Sequence, residues 1–243
     1  MYFSQLESFP SSKFKDMVDA TSTAFLEIEN TVENYFMTHD AVRKSIEKGF
    51  DSTPPETPTD ISISCYVART ANEKTVIGYR LDEVVLPFVK SGVQSADDTA
   101  NVIISLGKDL MQKYNHIEKI PVKISDSAFG DVLNVLNKVK KNSPKEFKWL
   151  EIFPVNFGQR INNKRYFDTT SWMWHCVKDS ILNHGLVLPD DYDMLMQLSF
   201  RRYSVTEESK IRVESRDEIK EDGRGTTDEA DCLALLCLPV TIK

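Results

Sequence analysis

The spacing of apolar residues changes along the chain, and each change predicts an element. Residues 61–69 alternate, with Ile61, Ile63, Cys65 and Val67 on one face, the period of a strand. Residues 74–81 and 83–87 read as two further strands joined by short turns. The period then lengthens: Ala100, Ile103, Ile104, Leu106, Leu110 and Met111 share one face of a helix over 96–114. A short buried strand at 120–124, a helix at 129–139 and a strand at 149–155 follow. Helices at 167–184 and 192–200, a hairpin of 203–205 with 211–213, and helices at 215–221 and 228–238 complete the order. Three strands and then alternating helix and strand is an α/β arrangement, a mixed sheet flanked by helices.

The start of the chain has a different pattern. Residues 16–33 and 38–48 carry apolar residues at mixed three and four spacing, so residues 1–50 read as a small helical appendage. Residues 51–60 hold three prolines and no apolar side chain, the composition of a linker. The expected organisation is therefore an appendage (1–50), a Pro-rich linker (51–60) and one α/β domain (61–243).

Composition alters this picture in few places. With 243 residues, 41% hydrophobic, the chain can build one medium core. No apolar run approaches the ~20 residues of a membrane span, and no basic stretch followed by an apolar one marks a signal peptide. The cysteines at 65, 176, 232 and 237 make no C-x-x-C pair and no Cys/His zinc spacing, so buried free thiols in a reducing compartment are expected. The net charge of −7 is uneven. Residues 1–60 carry eleven Asp/Glu against five Lys/Arg, whereas 138–165 carries eight Lys/Arg against Glu146 and Glu151. Such a local basic stretch suits either a solvated surface or contact with phosphates.

The chemistry is concentrated near the end. Asp228 and Asp231 are three apart, so they share one face in the first turn of a helix whose remainder, 232–238, is wholly apolar. A buried helix thus carries two carboxylates at its N-terminus. Capping and dipole complementarity, with Thr226 or Thr227 as N-cap, is one reading; an acidic site is the other.

That run resembles the end of the nuclease domain of tailed-phage large terminase subunits, and other runs continue the likeness in order. Arg202-Tyr203, Ile211 to Arg216, Gly223 to Gly225 and Thr227 to Leu235 carry the C-terminal part. Ile152-Phe-Pro-Val-Asn-Phe-Gly158, Trp172-Met-Trp174, the stretch from Leu182 to Asp191, Val67-Ala-Arg69, Glu73 to Ile77, and Val122 to Asp126 with Gly130 carry the rest. The resemblance implies an RNase H-like fold, and residues 1–50 are similar to the tail of the ATPase half that precedes this domain. No G-x-x-x-x-G-K-[ST] phosphate loop occurs, so the motor itself is absent and the chain reads as an excised half, a split-gene product or a free-standing relative.

The resemblance further implies a divalent-metal-dependent endonuclease that cuts concatemeric viral DNA. It would use Mg²⁺ or Mn²⁺, act in a host cytoplasm, and work with double-stranded DNA, an ATPase motor, a small terminase subunit and a portal. Two-metal hydrolysis needs carboxylates converging from the first strand, the end of the fourth strand and a late helix around ions about 4 Å apart. Asp231 matches the late-helix acid and Asp228 its flanking position. The fourth-strand acid falls at Ser125, so Asp126 is the displaced candidate. The first-strand acid falls at Tyr66, a phenol and a poor Mg²⁺ ligand, which leaves Glu73 as the nearby substitute. The expected catalytic set is Asp231, Asp126 and Asp228, with Glu73 added for metal. Lys140, Lys141, Lys145, Arg160, Lys164 and Arg165 are the expected DNA contacts. The loss of the first-strand acid keeps a second reading open, a catalytically impaired module that binds DNA or a partner. A Holliday-junction resolvase is a third. Trp172 and Trp174 read as packing residues, His175 and His184 have no metal-ligand partner at helical spacing, and Arg201 and Arg202 suit a surface or a phosphate-facing position equally.

Overall fold

Strand β1 (Ile61–Tyr66) has every residue buried, because helices cover both faces of the sheet at its centre. The computed structural model describes residues 35–125 and 130–240. β1 pairs antiparallel with β2 (Thr75–Leu81), which pairs with β3 (Val84–Val85) and with β4 (Val89–Ser91). On its other side β1 pairs parallel with β5 (Ile120–Ser125), and β5 pairs parallel with β6 (Leu150–Val155). The order β3-β2-β1-β5-β6 places the first strand in the middle. The alternation expected over 61–69 described only one face, since Ser62 and Ser64 fill the second face as buried polar residues. The strand also ends at Tyr66, three residues early.

Helices α2 (Ala96–Lys113) and α3 (Asp131–Asn142) cover one face, where Ile61, Ile63, Cys65, Val122, Ile124, Ile103 and Leu136 form a core. The opposite face carries α4 (Thr169–Asn183), α5 (Tyr192–Ser199) and α7 (Asp228–Cys237), with Tyr66, Trp174, Val177, Leu233 and Leu236 among its core residues. Because side chains alternate along a strand, Ser64, Tyr66, Lys123 and Ser125 point to this second face. Ser64 Oγ lies 3.2 Å from Cys232 Sγ, and Lys123 Nζ donates to Leu236 O at 2.8 Å.

The described part of the N-terminal segment belongs to this second core. In α1 (His39–Phe50), Val42 and Ile46 are buried with Phe36 and Met37 against α4 and α5. Phe36 N donates to Arg201 O at 2.8 Å, and Leu188 N to Ser45 O at 3.2 Å. Residues 35–50 therefore share the domain's core and are not set apart from it. The helix expected over 16–33 lies outside the described residues. The 51–60 segment is irregular, as expected, but its end is held: Asp82 Oδ1 accepts from the Thr59 and Asp60 amides, each at 2.8 Å.

The second sheet is the hairpin of β7 (Tyr203–Val205) and β8 (Ile211–Val213), matching its expected bounds. It leads into α6 (Arg216–Glu221), which starts with a capping box between Ser215 and Glu218. Gly223 and Gly225, at φ 69° and 89°, take the left-handed conformations that turn the chain from α6 into α7. Among the described residues, no helix is long and apolar enough to cross a membrane.

Candidate functional site

The C-terminal ends of β1 and β5, the start of α7 and the start of α6 meet at one place. β1 contributes Tyr66 and β5 contributes Ser125, whose Oγ accepts from the Val67 amide at 3.0 Å. The turn before β2 contributes Glu73, whose carboxylate accepts from the Arg69 amide at 2.6 Å. α7 contributes Asp228 and Asp231. Thr227 precedes it, but the Thr227 hydroxyl donates to Asp231 Oδ2 at 2.7 Å and does not cap the helix. The first-turn amides that lack a partner within the helix are met from another element: Gln197 Oε1, on α5, accepts from Glu229 N and Ala230 N at 3.0 Å each.

All these acids are buried: Asp228, Glu229 and Asp231 at 0% exposure and Glu73 at 2%. Each is met by a cation. The Arg216 guanidinium sits among three of them, 2.9 Å from Asp228 Oδ1 and 3.3 Å from Glu73 Oε1 through Nη2. Its Nε is 3.4 Å from Asp231 Oδ2, within ion-pair range but without hydrogen-bond geometry. The guanidinium carbon stands 4.4 Å from the centre of the Tyr66 ring, a cation–π placement. Lys220 Nζ pairs with Glu73 Oε1 at 2.7 Å. Arg201, also at 0% exposure, donates to Asp231 Oδ1 at 3.0 Å and to Glu214 O at 2.8 Å. Trp174 Nε1 donates to the same Asp231 oxygen at 3.0 Å, and the Arg201 guanidinium lies 4.6 Å from the Trp174 ring. Burial pushes the Asp228 carboxyl above its ordinary range, against the Lys74 amide and Arg216, which pull it down.

On the other side of α7, Glu229 forms a separate cluster. Lys74 and Lys90 reach its Oε1 at 3.0 and 3.2 Å, Gln197 donates to its other oxygen, and Asp191 and Asp193 complete the group. Hydrogen bonds to Asp193 and then Glu229 raise the Lys74 ammonium well above its ordinary value.

Of the expected site, the structure brings Asp228, Asp231 and Glu73 to one place; Asp126 lies outside the described residues. The residues that sequence reasoning missed are the cations. Arg216 and Lys220 lie four apart on a short charged helix, and nothing in that local pattern marks them as partners of buried acids. Arg201, open between surface and phosphate-facing positions, is fully buried. Trp174 packs as expected and also donates to Asp231. His175 stacks on Tyr166 with ring centres 4.8 Å apart, a packing role. Cys65 and Cys232 are free and buried; burial raises both thiols, Cys232 to about 12.

Among the described residues, the geometry does not fit a metal. A two-metal centre needs carboxylate oxygens that converge on a cation. Here Glu73, Asp228 and Asp231 surround a guanidinium, and the nearby strand ends contribute Tyr66 and Ser125, neither of them a carboxylate. Among the described residues, no three His, Cys, Asp or Glu side chains are grouped to hold an ion.

A cavity of about 450 Å³ opens over the cluster, with Arg69, Thr70, Phe157, Gly158 and Phe167 in its wall. The loop after β6 borders it. Arg160 stacks over Phe167 at 3.4 Å, and Asn163 Oδ1 orders the next turn by accepting from Arg165 N at 2.8 Å and Tyr166 N at 3.0 Å. Arg160, Lys164 and Arg165 are exposed. Lys140, Lys141 and Lys145 lie at the opposite end of β6, where Lys140 Nζ donates to Leu150 O at 2.5 Å. The basic segment therefore forms two groups separated by the length of β6, on the order of 20 Å.

No family model matches the chain, and no curated protein matches it. Solved structures do. The nuclease domain of the large terminase subunit gp2 of bacterial virus Sf6 aligns with a TM-score of 0.63 at 9% identity, covering 85% of this chain and 100% of that one. A mutant of that domain with manganese gives 0.60 at 11% identity, covering 84% and 99%. The large terminase nuclease from thermophilic phage G20c with bound cobalt gives 0.50 at 14%, covering 75% and 83%. Strand order and likeness agree, and the chain has the RNase H-like fold of the phage large-terminase nuclease domains.

Proposed function

We propose that this chain is a nuclease-type module of a viral DNA-packaging terminase, and that it holds double-stranded DNA across the cavity at the ends of β1 and β5. It would work in a host cytoplasm beside an ATPase motor, a small terminase subunit and a portal. The fold supports this reading, and so does the loop of Arg160, Lys164 and Arg165 beside the cavity. Arg160 packs on Phe167, which lines the cavity, and the loop it opens carries Lys164 and Arg165 as further exposed cations for a DNA backbone. Lys140, Lys141 and Lys145 face away and play a lesser part.

The same fold in other proteins is that of nucleases, and cleavage of concatemeric DNA with Mg²⁺ or Mn²⁺ is the stronger form of this function. One observation favours the weaker form, binding without cutting: Arg216 stands among Glu73, Asp228 and Asp231, and Tyr66 lies under it. Acids already neutralised by arginine have little charge left to offer a divalent ion. In this form the chain's own residues bind and orient DNA, and no hydrolytic step is assigned to them.

The test has two arms. Band-shift titration with linear duplexes of unrelated sequence in EDTA should give one affinity for all of them, falling steeply as salt rises. Absence of binding at low salt would remove the DNA role. Supercoiled plasmid incubated with the chain and Mg²⁺ or Mn²⁺ should stay supercoiled. Nicked or linear product that disappears with Asp231→Asn would restore the cutting enzyme.

A further inference from the structure

We infer that the guanidinium of Arg216 is the resident cation of the carboxylate cluster, taking the place of a divalent metal, so that the domain folds and holds its acids together without one. The inference rests on reading this cluster as the counterpart of a nuclease metal centre.

Charge balance carries the argument. Three buried acids, Glu73, Asp228 and Asp231, face three cations, Arg201, Arg216 and Lys220, at 2.7 to 3.4 Å. Among the described residues, the formal sum of this cluster is zero. A divalent ion added to this set would leave an excess of two positive charges in a largely buried place, and that excess is removed only if cations leave. A bare acidic cluster would need an ion to relieve its own repulsion; this one is already relieved.

The residue types around the guanidinium agree. A flat fork with five donors can meet acids on several sides at once, which a lysine ammonium on a flexible stem does less well. Tyr66 offers a ring face for a guanidinium to lie on, whereas an acid at that position would offer a ligand to a metal. Arg216 is also held at its base. It is the first residue of α6, Ser215 and Glu218 close the capping box around it, and Arg212 Nη2 donates to both oxygens of Glu218 at 3.1 and 3.0 Å. The side chain is 15% exposed and lines the cavity together with Glu73 and Lys220, whereas Asp228 and Asp231 are not in its wall.

Thermal melting of metal-free protein, with EDTA and with a Mn²⁺ titration, tests this. The wild type should melt at one temperature in both. Arg216→Gln should melt lower, on the order of 10 °C, and should then be raised by Mn²⁺ in a saturable way. Adding Asp228→Asn to Arg216→Gln should abolish that response. A wild type that is stabilised by Mn²⁺, or weakened by EDTA, overturns the inference. So does a folded Arg216→Gln protein that ignores Mn²⁺. Should Arg216→Gln fail to fold, direct Mn²⁺ titration of the wild type by calorimetry decides: no binding heat supports the inference and a saturable isotherm overturns it. DNA binding in EDTA is read separately, so its loss sinks the packaging role and leaves the assignment of Arg216 standing.

Discussion

The two faces of the central sheet are built on different principles. The face under α2 and α3 is closed by Ile61, Ile63, Val122, Ile124, Ile103 and Leu136, and its energetics are those of packing. The face under α4 and α7 has an apolar core as well, but it also buries Lys123, Arg201, Asp228, Glu229 and Asp231. Both faces come from the same strands, through alternate residues. The difference teaches where this protein carries its chemistry. Among the described residues, charge is buried only on the side of α4 and α7, where the acids and Arg201 have ionic partners and Lys123 has a backbone carbonyl.

The largest expected effect breaks the charged face. Arg201→Ala leaves Asp231 buried with Trp174 and Thr227 as its hydrogen-bond donors and Arg216 as its nearest remaining cation, and should cost about 3–5 kcal/mol in urea unfolding. Asp231→Asn should cost a comparable amount by stranding Arg201. A mutation that reads from the sequence as a clean test of catalysis is thus also a test of folding, and its effect on activity has to be compared at equal folded fraction.

Next comes Lys123. Burial lowers its ammonium from an ordinary 10.5 to about 8. The unfolded chain therefore holds the proton more tightly than the folded one between those values. The penalty of burying a charged lysine is fully present below pH 8 and fades as pH rises toward 10.5. The buried thiols of Cys65 and Cys232 and the half-buried ones of Cys176 and Cys237 act in the opposite direction above pH 9, because desolvation raises them. Comparing wild type with Lys123→Met isolates the lysine. The stability difference should move in favour of the wild type by about 3 kcal/mol between pH 7 and 10.5, and a flat difference would mean that the ammonium is better solvated than its burial implies.

The apolar face should respond to volume instead. A Cβ at Gly107 would fall 2.1 Å from Trp149 Cη2, so Gly107→Ala should destabilise by about 1–3 kcal/mol, with no dependence on pH or metal. The smallest effect is on binding alone. Arg160→Glu with Lys164→Glu and Arg165→Glu should weaken DNA binding on all sequences and flatten its salt dependence without altering the melting temperature. Glutamates at Lys141 and Lys145 should change binding less; an equal loss would mean that DNA also reaches the far end of β6.

Much of the fold was legible in the amino-acid order. The 2- and 3.6-residue periods located the α2, β5, α4, α7 and β7–β8 regions to within a few residues, because burial on one face imposes its period whatever the partner is. The short β4 was missed, as three residues carry too little periodicity. That residues 35–50 join the core could not be read either, since an amphipathic face does not say which surface covers it.

What the sequence determined by itself was the element order, the pair of acids on the first turn of an apolar helix, and the absence of an acid at Tyr66. The state of those acids was decided only by tertiary structure. Arg201 precedes a hairpin and Arg216 opens a short polar helix, and nothing local distinguishes them from surface arginines. They became the partners of Asp231 and Asp228 because the hairpin and the Gly223–Gly225 turn carry them back over the ends of β1 and β5. Local pattern records which residues must be buried. Which charge neutralises which depends on distances between elements far apart in the chain, and a buried carboxylate takes whichever cation the fold brings within about 3 Å.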